Sequence, residues 1–113
     1  QDFIIDHNNK FLRRRDLVVK KLNEINGITC SKPAGAFYVY PNCNGILGKV
    51  TPNGNKISSD EDFMTFLLED QGVAGVHGSA FGLSPYFRLS YATSDDILED
   101  ACNRIKLACS KLK

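Results

Sequence analysis

The stretch Phe87-Arg88-Leu89-Ser90-Tyr91-Ala92, followed at once by Thr93-Ser94-Asp95-Asp96, decides how this chain is read. Side chains alternate along a strand with period two. Phe87, Leu89 and Tyr91 therefore share one face, which is bulky and reads as core. Arg88, Ser90 and Ala92 share the other, where small residues leave room beside a guanidinium. That group is always charged and presents a planar fork of donors that matches a carboxylate in a bidentate way. The pattern is that of a carboxylate receptor on a rigid strand. An outward-facing arginine on a half-exposed sheet fits the same pattern, because most arginines are surface residues.

Downstream of the strand, Thr93 or Ser94 caps a helix that runs to Ser110, with Asp95 and Asp96 in its first turn. Ile97, Ala101, Ile105, Ala108 and Leu112 form one stripe, widened by Leu98, Cys102 and Cys109. Lys106, Lys111 and Lys113 near the helix end suit its dipole.

Upstream, His77-Gly78-Ser79-Ala80-Phe81-Gly82 is a small-residue turn carrying one aromatic. Its glycines, with Gly75, match neither G-x-G-x-x-G nor a P-loop. Val73-Ala74-Gly75-Val76 reads as a short buried strand. Before it, Ser58, Ser59 or Asp60 caps a helix holding Phe63, Phe66, Leu67 and Asp70 at helical spacing and ending at Gln71-Gly72. The acidic residues Asp60, Glu61, Asp62, Glu69 and Asp70 are accounted for by helix N-terminal chemistry and solvation, without a metal. Residues 42–56 contain Gly45, Gly48, Pro52 and Gly54. They read as a long loop with a turn at Pro52-Asn53-Gly54, of a length that is often functional or mobile.

Further upstream, Ala34-Gly35-Ala36-Phe37-Tyr38-Val39-Tyr40 is aromatic and β-branched, hence strand. Gly35 and Ala36 leave its start bare, so a ligand or another segment can approach the backbone. Ile28-Thr29-Cys30 is a short edge strand. From Phe3 to Asn26 the apolar positions Phe11, Leu12, Leu17, Val18, Leu22 and Ile25 recur at helical spacing, and Asn26-Gly27 is a stop. Arg13-Arg14-Arg15 falls mostly on the solvated side.

The order is helix, strand, strand, helix, strand, strand, helix. That order makes a single two-layer α/β (α+β) domain over residues 1–113, a small mixed sheet covered on one face by helices. The chain has 113 residues, 42% of them hydrophobic and 24% charged, which suits one small core. A net charge of +1 excludes a global field for nucleic acid or an anionic membrane, and no apolar run approaches a bilayer span. The four cysteines, Cys30, Cys43, Cys102 and Cys109, form no C-x-x-C pair and have no ligand spacing to His7 or His77. Cys102 and Cys109, seven apart on one helix face, read as core residues, and the cysteines read as reduced in a cytoplasmic protein. The chain opens on Gln1 with an uncapped helix, which reads as part of something longer. No serine nucleophile motif, Cys–His pair or lysine in an apolar stretch is present. The residues alone therefore describe a binding domain with an anion-reading arginine.

Four segments together carry a resemblance. Pro33-Ala34-Gly35-Ala36-Phe37-Tyr38-Val39-Tyr40-Pro41, Leu68-Glu69-Asp70-Gln71-Gly72-Val73-Ala74, His77-Gly78-Ser79-Ala80-Phe81-Gly82 and Phe87-Arg88-Leu89-Ser90-Tyr91-Ala92-Thr93-Ser94 occur in that order. In order and spacing they resemble the C-terminal portion of class I pyridoxal-phosphate aminotransferases, most of all the bacterial aspartate aminotransferase group. The resemblance implies the small domain of a fold type I enzyme, with the large cofactor-binding domain preceding Gln1. It implies that Arg88 grips the substrate α-carboxylate and that Ser79 and Phe81 line the interdomain cleft, where Gly35 and Ala36 also approach the substrate. It implies amino-acid and 2-oxo-acid substrates, a parent homodimer, and amino transfer between aspartate and 2-oxoglutarate. The cofactor-bearing lysine and the residues around pyridoxal phosphate would lie in the large domain, so the chain alone would hold no cofactor and be inactive. Two other classes stay open: a free-standing carboxylate-binding module without catalysis, and an interaction domain built on the sheet edge and first helix.

Overall fold

The computed structural model describes residues 2–31, 38–90 and 94–113, and of residues 2–11 the backbone alone. Its elements are α1 (Asp2–Asn23), β1 (Tyr38–Val39), α2 (Asp60–Gln71), β2 (Val76–His77), β3 (Phe87–Ser90) and α3 (Asp95–Ser110). Single 3₁₀ turns occupy Asn44–Ile46 and Gly78–Phe81. The architecture is the expected α/β one, three helices with a small sheet.

The sheet order is β1-β3-β2, so the Arg88 strand is the central one. Tyr38 pairs with Ser90 and Val39 with Leu89; on the other side Val76 pairs with Arg88 and His77 with Phe87. Every pairing among the described strands is antiparallel, where a mixed sheet was expected. The face assignment of β3 holds for the described residues. Phe87 is fully buried, Leu89 packs against the core from its edge, and Val39 is buried opposite Leu89. Phe87 meets Phe63 of α2 edge to face at 5.6 Å, a favoured aromatic geometry that locks the helix onto the central strand.

Several expected elements are shorter or shifted. The strand expected over Ile28–Cys30 reduces to one bridge, Thr29 to Asn42. Its ladder is replaced by a side chain: Asn23 accepts from the Cys30 N–H at 2.8 Å and donates to the Cys30 carbonyl at 2.7 Å. The same residue ends α1, three positions before the expected Asn26. Of the strand expected over Ala34–Tyr40, Tyr38–Val39 is described as strand, and Gly35 and Ala36 lie outside the described residues. The strand expected over Val73–Val76 forms at Val76–His77, because Gly72 first terminates α2. Gly72 adopts the left-handed conformation at φ +68° and donates its N–H to the Leu67 and Leu68 carbonyls. Ser59 is the residue that caps α2, accepting from the Asp62 N–H at 3.1 Å.

The 42–56 segment is pinned rather than loose. Ile46 is fully buried, Gly48 donates to the Ile57 carbonyl at 2.7 Å, and Val50 exchanges hydrogen bonds with Lys113.

On α3 the buried stripe is Leu98, Cys102, Ile105 and Cys109, with Ala108 beside it, and Leu112 continues it just past the helix end. Ile97, expected in that stripe, is 61% exposed. Positions 98, 102, 105, 109 and 112 follow the helical period, and Ile97 lies one residue, about 100°, off it. The basic triplet is also not uniformly solvated. Arg14 donates from Nε to Asp95 at 2.8 Å and thereby ties α1 to the start of α3. Leu12, placed in the apolar stripe of α1, is exposed, while Val18, Leu22 and Ile25 are buried.

All four cysteines are free and buried. Burial raises their thiols, to about 11 for Cys30 and Cys102 and about 12 for Cys43 and Cys109, so they are inert protonated core groups. Among the described residues no helix is long and apolar enough to cross a membrane.

Candidate functional site

The register of the central strand builds the site. Arg88 and Ser90 share a face, and Tyr38 is the direct cross-strand partner of Ser90. Tyr38 is therefore the diagonal neighbour of Arg88, within reach of a long side chain. The Arg88 guanidinium carbon lies over the Tyr38 ring, 4.6 Å from its centroid, and 5.8 Å from the centroid of Phe81. Phe81 in turn meets Tyr40 edge to face at 5.9 Å. Two aromatics thus flank one half-buried cation, and Tyr40 backs the second of them. Of the small-residue floor expected beside Arg88, Ser90 shares its face and Ala92 lies outside the described residues. The Tyr38 ring backs the guanidinium.

A ring under a guanidinium attracts it through the ring quadrupole and leaves the in-plane N–H groups free to donate. The other arginines are already engaged. Arg13 and Arg14 face Asp95 at 3.6 and 2.8 Å, Arg15 faces Asp16 at 3.1 Å, and Arg104 faces Asp100 at 2.8 Å. Among the described side chains no carboxylate pairs with Arg88. The site is a cation with aromatic backing.

Phe81 is carried by the turn after β2, and that turn is fastened from below by Asp60, the first residue of α2. Asp60 is 1% exposed. Its Oδ2 accepts from the Ser79 N–H at 2.8 Å and its Oδ1 accepts from the Ser84 hydroxyl at 2.7 Å. The Nδ1 of His77 is 4.0 Å from the same carboxylate and 2.7 Å from the Ser79 hydroxyl. Of the residues singled out from sequence, the structure brings Arg88 and Phe81 together. The Ser79 hydroxyl is engaged by His77 instead. Gly35 and Ala36 lie outside the described residues.

Burial alone would push the Asp60 carboxyl up. The hydrogen bonds from the Ser79 N–H and the Ser84 hydroxyl, with its own backbone N–H and the Ser79 side chain, outweigh burial and hold it below the ordinary 3.8. A carboxyl depressed in the folded state contributes stability that is complete above its unfolded pKa and disappears as pH falls through the folded one. Asp70, held down by Gln71 and Lys111, and Asp95, held down by Arg14, act in the same direction. The melting temperature of the full-length protein is expected to fall on acidification below about pH 4. Asp60→Asn, melted at intervals between pH 6 and pH 3, should flatten that fall without abolishing it. An unchanged acid slope would mean that Asp60 does not carry it.

Asp60, Tyr38 and Tyr40 were not singled out as site residues from sequence. Tyr38 was findable once β1 is paired with β3, since the diagonal rule then puts it beside Arg88. Asp60 carried no such signal, because an aspartate at a helix start is ordinary.

Comparison with known proteins places the chain in a family. The family model for aminotransferase class I and II matches residues 1–105.

The chain belongs to the class I and II aminotransferase family.

It is 58% identical over 113 residues to a probable aspartate/prephenate aminotransferase of Rhizobium leguminosarum bv. phaseoli, covering all of this chain and 28% of that protein. It superposes on the crystal structure of the aspartate aminotransferase from Rhizobium meliloti with a TM-score of 0.97 at 56% identity, covering 100% of this chain and 28% of that one. Alanine aminotransferase from Pyrococcus furiosus gives a TM-score of 0.81 at 32% identity, over 96% of this chain and 26% of that one. The chain therefore spans between a quarter and a third of the length of the relatives it matches.

Pyridoxal phosphate is the cofactor of this family. Every lysine whose side chain is described is exposed or half-buried, with Lys111 bound to Asp70 and Lys21 to Asn103 and Glu99. The small-residue turn at 78–81 spends its Ser79 N–H on Asp60 rather than presenting it to a phosphate.

Proposed function

We propose that this chain is the small, substrate-closing domain of an aminotransferase that moves an amino group between aspartate and 2-oxoglutarate, with Arg88 holding the substrate α-carboxylate. The observation that carries the reading is the half-buried Arg88 fork. It sits on the central strand over the Tyr38 ring, and among the described side chains it alone of the arginines lacks a carboxylate. The relatives point the same way. They are named for aspartate and for alanine, amino acids that share an α-carboxylate and differ in the side chain.

In this reading pyridoxal phosphate, bound by a large domain of the same polypeptide, supplies the electron sink. This chain supplies orientation. Two parallel N–H donors fix the plane of the carboxylate and with it the direction of the Cα–H bond, so that proton removal proceeds from a near-attack geometry. The Tyr38 and Phe81 rings restrict the guanidinium to that plane. Movement of the domain over the substrate would exclude water and strengthen the charge pair. The parent would act as a homodimer.

The test is amino transfer by the full-length protein with added pyridoxal phosphate, following oxaloacetate formed from aspartate and 2-oxoglutarate. Turnover is expected, and its disappearance when residues 1–113 are deleted while the remainder stays folded. A folded, cofactor-loaded full-length protein that turns over no amino acid would overturn the reading.

A further inference from the structure

We infer that Asp60 is a positioning residue for the Arg88 site, acting through the turn that carries Phe81. The inference rests on the carboxylate-binding reading above and adds a residue to it.

Asp60 is a charged group almost entirely removed from solvent, and His77 at 4.0 Å is half-buried. Such a carboxylate persists only where donors satisfy it. Both of its oxygens are spent on the 78–84 segment: Oδ2 on the Ser79 N–H and Oδ1 on the Ser84 hydroxyl. These bonds reach across 19 and 24 residues, from the start of α2 to the two ends of one short turn. The middle of that turn is Phe81, 5.8 Å from the Arg88 guanidinium carbon and edge-on to Tyr40. The turn follows β2, whose Val76 pairs with Arg88 itself. Asp60 thus fixes one wall of the guanidinium's enclosure from a rigid helix. A binding group is only as precise as the shell that holds it.

Hydrogen bonding, rather than charge, should be what matters. Asparagine can reproduce both contacts: its amide oxygen accepts from the Ser79 N–H, and its NH₂ donates to the Ser84 hydroxyl, which can also accept. Alanine reproduces neither.

The experiment measures the dissociation constant of succinate, an unreactive dicarboxylate, for the full-length holoenzyme, with kcat and KM for aspartate. The proteins are wild type, Asp60→Ala, Asp60→Asn, Ser84→Ala and Arg88→Lys, with Asp60→Ala and Ser84→Ala also in the Arg88→Lys background. Asp60→Ala is expected to weaken succinate roughly 5- to 10-fold, Ser84→Ala roughly 2- to 3-fold, and Asp60→Asn to recover most of the loss. In the Arg88→Lys background the losses should shrink toward one, because the fork they position is gone. Ser84→Ala keeps the carboxylate and its bond from Ser79, so it reads the same link if Asp60→Ala does not fold. Equal losses in both backgrounds, no loss, or no recovery with asparagine would overturn the inference. If Arg88→Lys itself leaves succinate binding unchanged, the carboxylate-binding reading fails first. If Arg88→Lys weakens binding and the Asp60 and Ser84 variants do not, only the positioning role fails.

Discussion

Arg88→Lys in the full-length protein is expected to lower kcat/KM for aspartate by about 2–4 kcal/mol of transition-state binding, roughly 30- to 1000-fold. Lysine keeps the positive charge and removes the fork. A carboxylate then meets one point donor and is free to rotate about it, so the orientation of the Cα–H bond is lost along with one hydrogen bond. Lysine also stacks less well on the Tyr38 ring, which supports the guanidinium carbon at 4.6 Å. The loss should fall on alanine as well as on aspartate, because the carboxylate in question is the one both share. Steady-state kinetics with both amino acids check this. A variant that keeps normal efficiency with both would remove Arg88 from the role of carboxylate anchor.

Gly78→Ala is expected to destabilise the protein by about 3 kcal/mol, at the upper end of what overpacking costs. Gly78 is the buried first residue of the 78–81 turn. A Cβ there would collide with the carbonyl oxygens of Leu83 and Tyr86, which are backbone atoms and cannot rotate aside. Those are the same strands of chain that Gly78 is bonded to. Its N–H donates to the Tyr86 carbonyl and its carbonyl accepts from the Leu83 N–H, each at 2.7 Å. Relief of the collision therefore breaks the hydrogen bonds that close the turn. Phe81 and the Ser79 and Ser84 contacts to Asp60 ride on that turn, so substrate binding should weaken together with stability. The measurement is the melting temperature of the full-length variant, expected to fall by roughly 5 °C or more. A variant that melts with wild type would show that the chain can open here at little cost.

The alternation in Phe87–Ser90 was enough to assign the two faces of the central strand, and the four ordered segments were enough to point to the family. Elements whose ends depend on a single residue were less legible. Nothing local to Ile28-Thr29-Cys30 shows that the Asn23 side chain will take the Cys30 backbone groups and leave one bridge in place of a strand. Ile97 looks like part of the α3 stripe because Ala101 and Ile105 follow it at helical spacing. The rotation of the helix is set by what it packs against, and Leu98, Cys102 and Ile105 face inward instead.

The site divides in the same way. Arg88 was visible because a cation interrupts a strand pattern. Of its surroundings, Phe81 was expected from the resemblance, whereas Tyr38 was not, because it reaches Arg88 only through strand register. Asp60 was the least legible. Its importance lies in burial and in partners 19 and 24 residues away, neither of which composition or spacing encodes.

The most direct measurement is a crystal structure of the full-length protein, loaded with pyridoxal phosphate, in complex with succinate. The account predicts one carboxylate bound side-on by two nitrogens of the Arg88 guanidinium at about 2.7–2.9 Å, with the Tyr38 ring still beneath it. A carboxylate seated on other residues, with Arg88 left on Tyr38 and facing solvent, would contradict it.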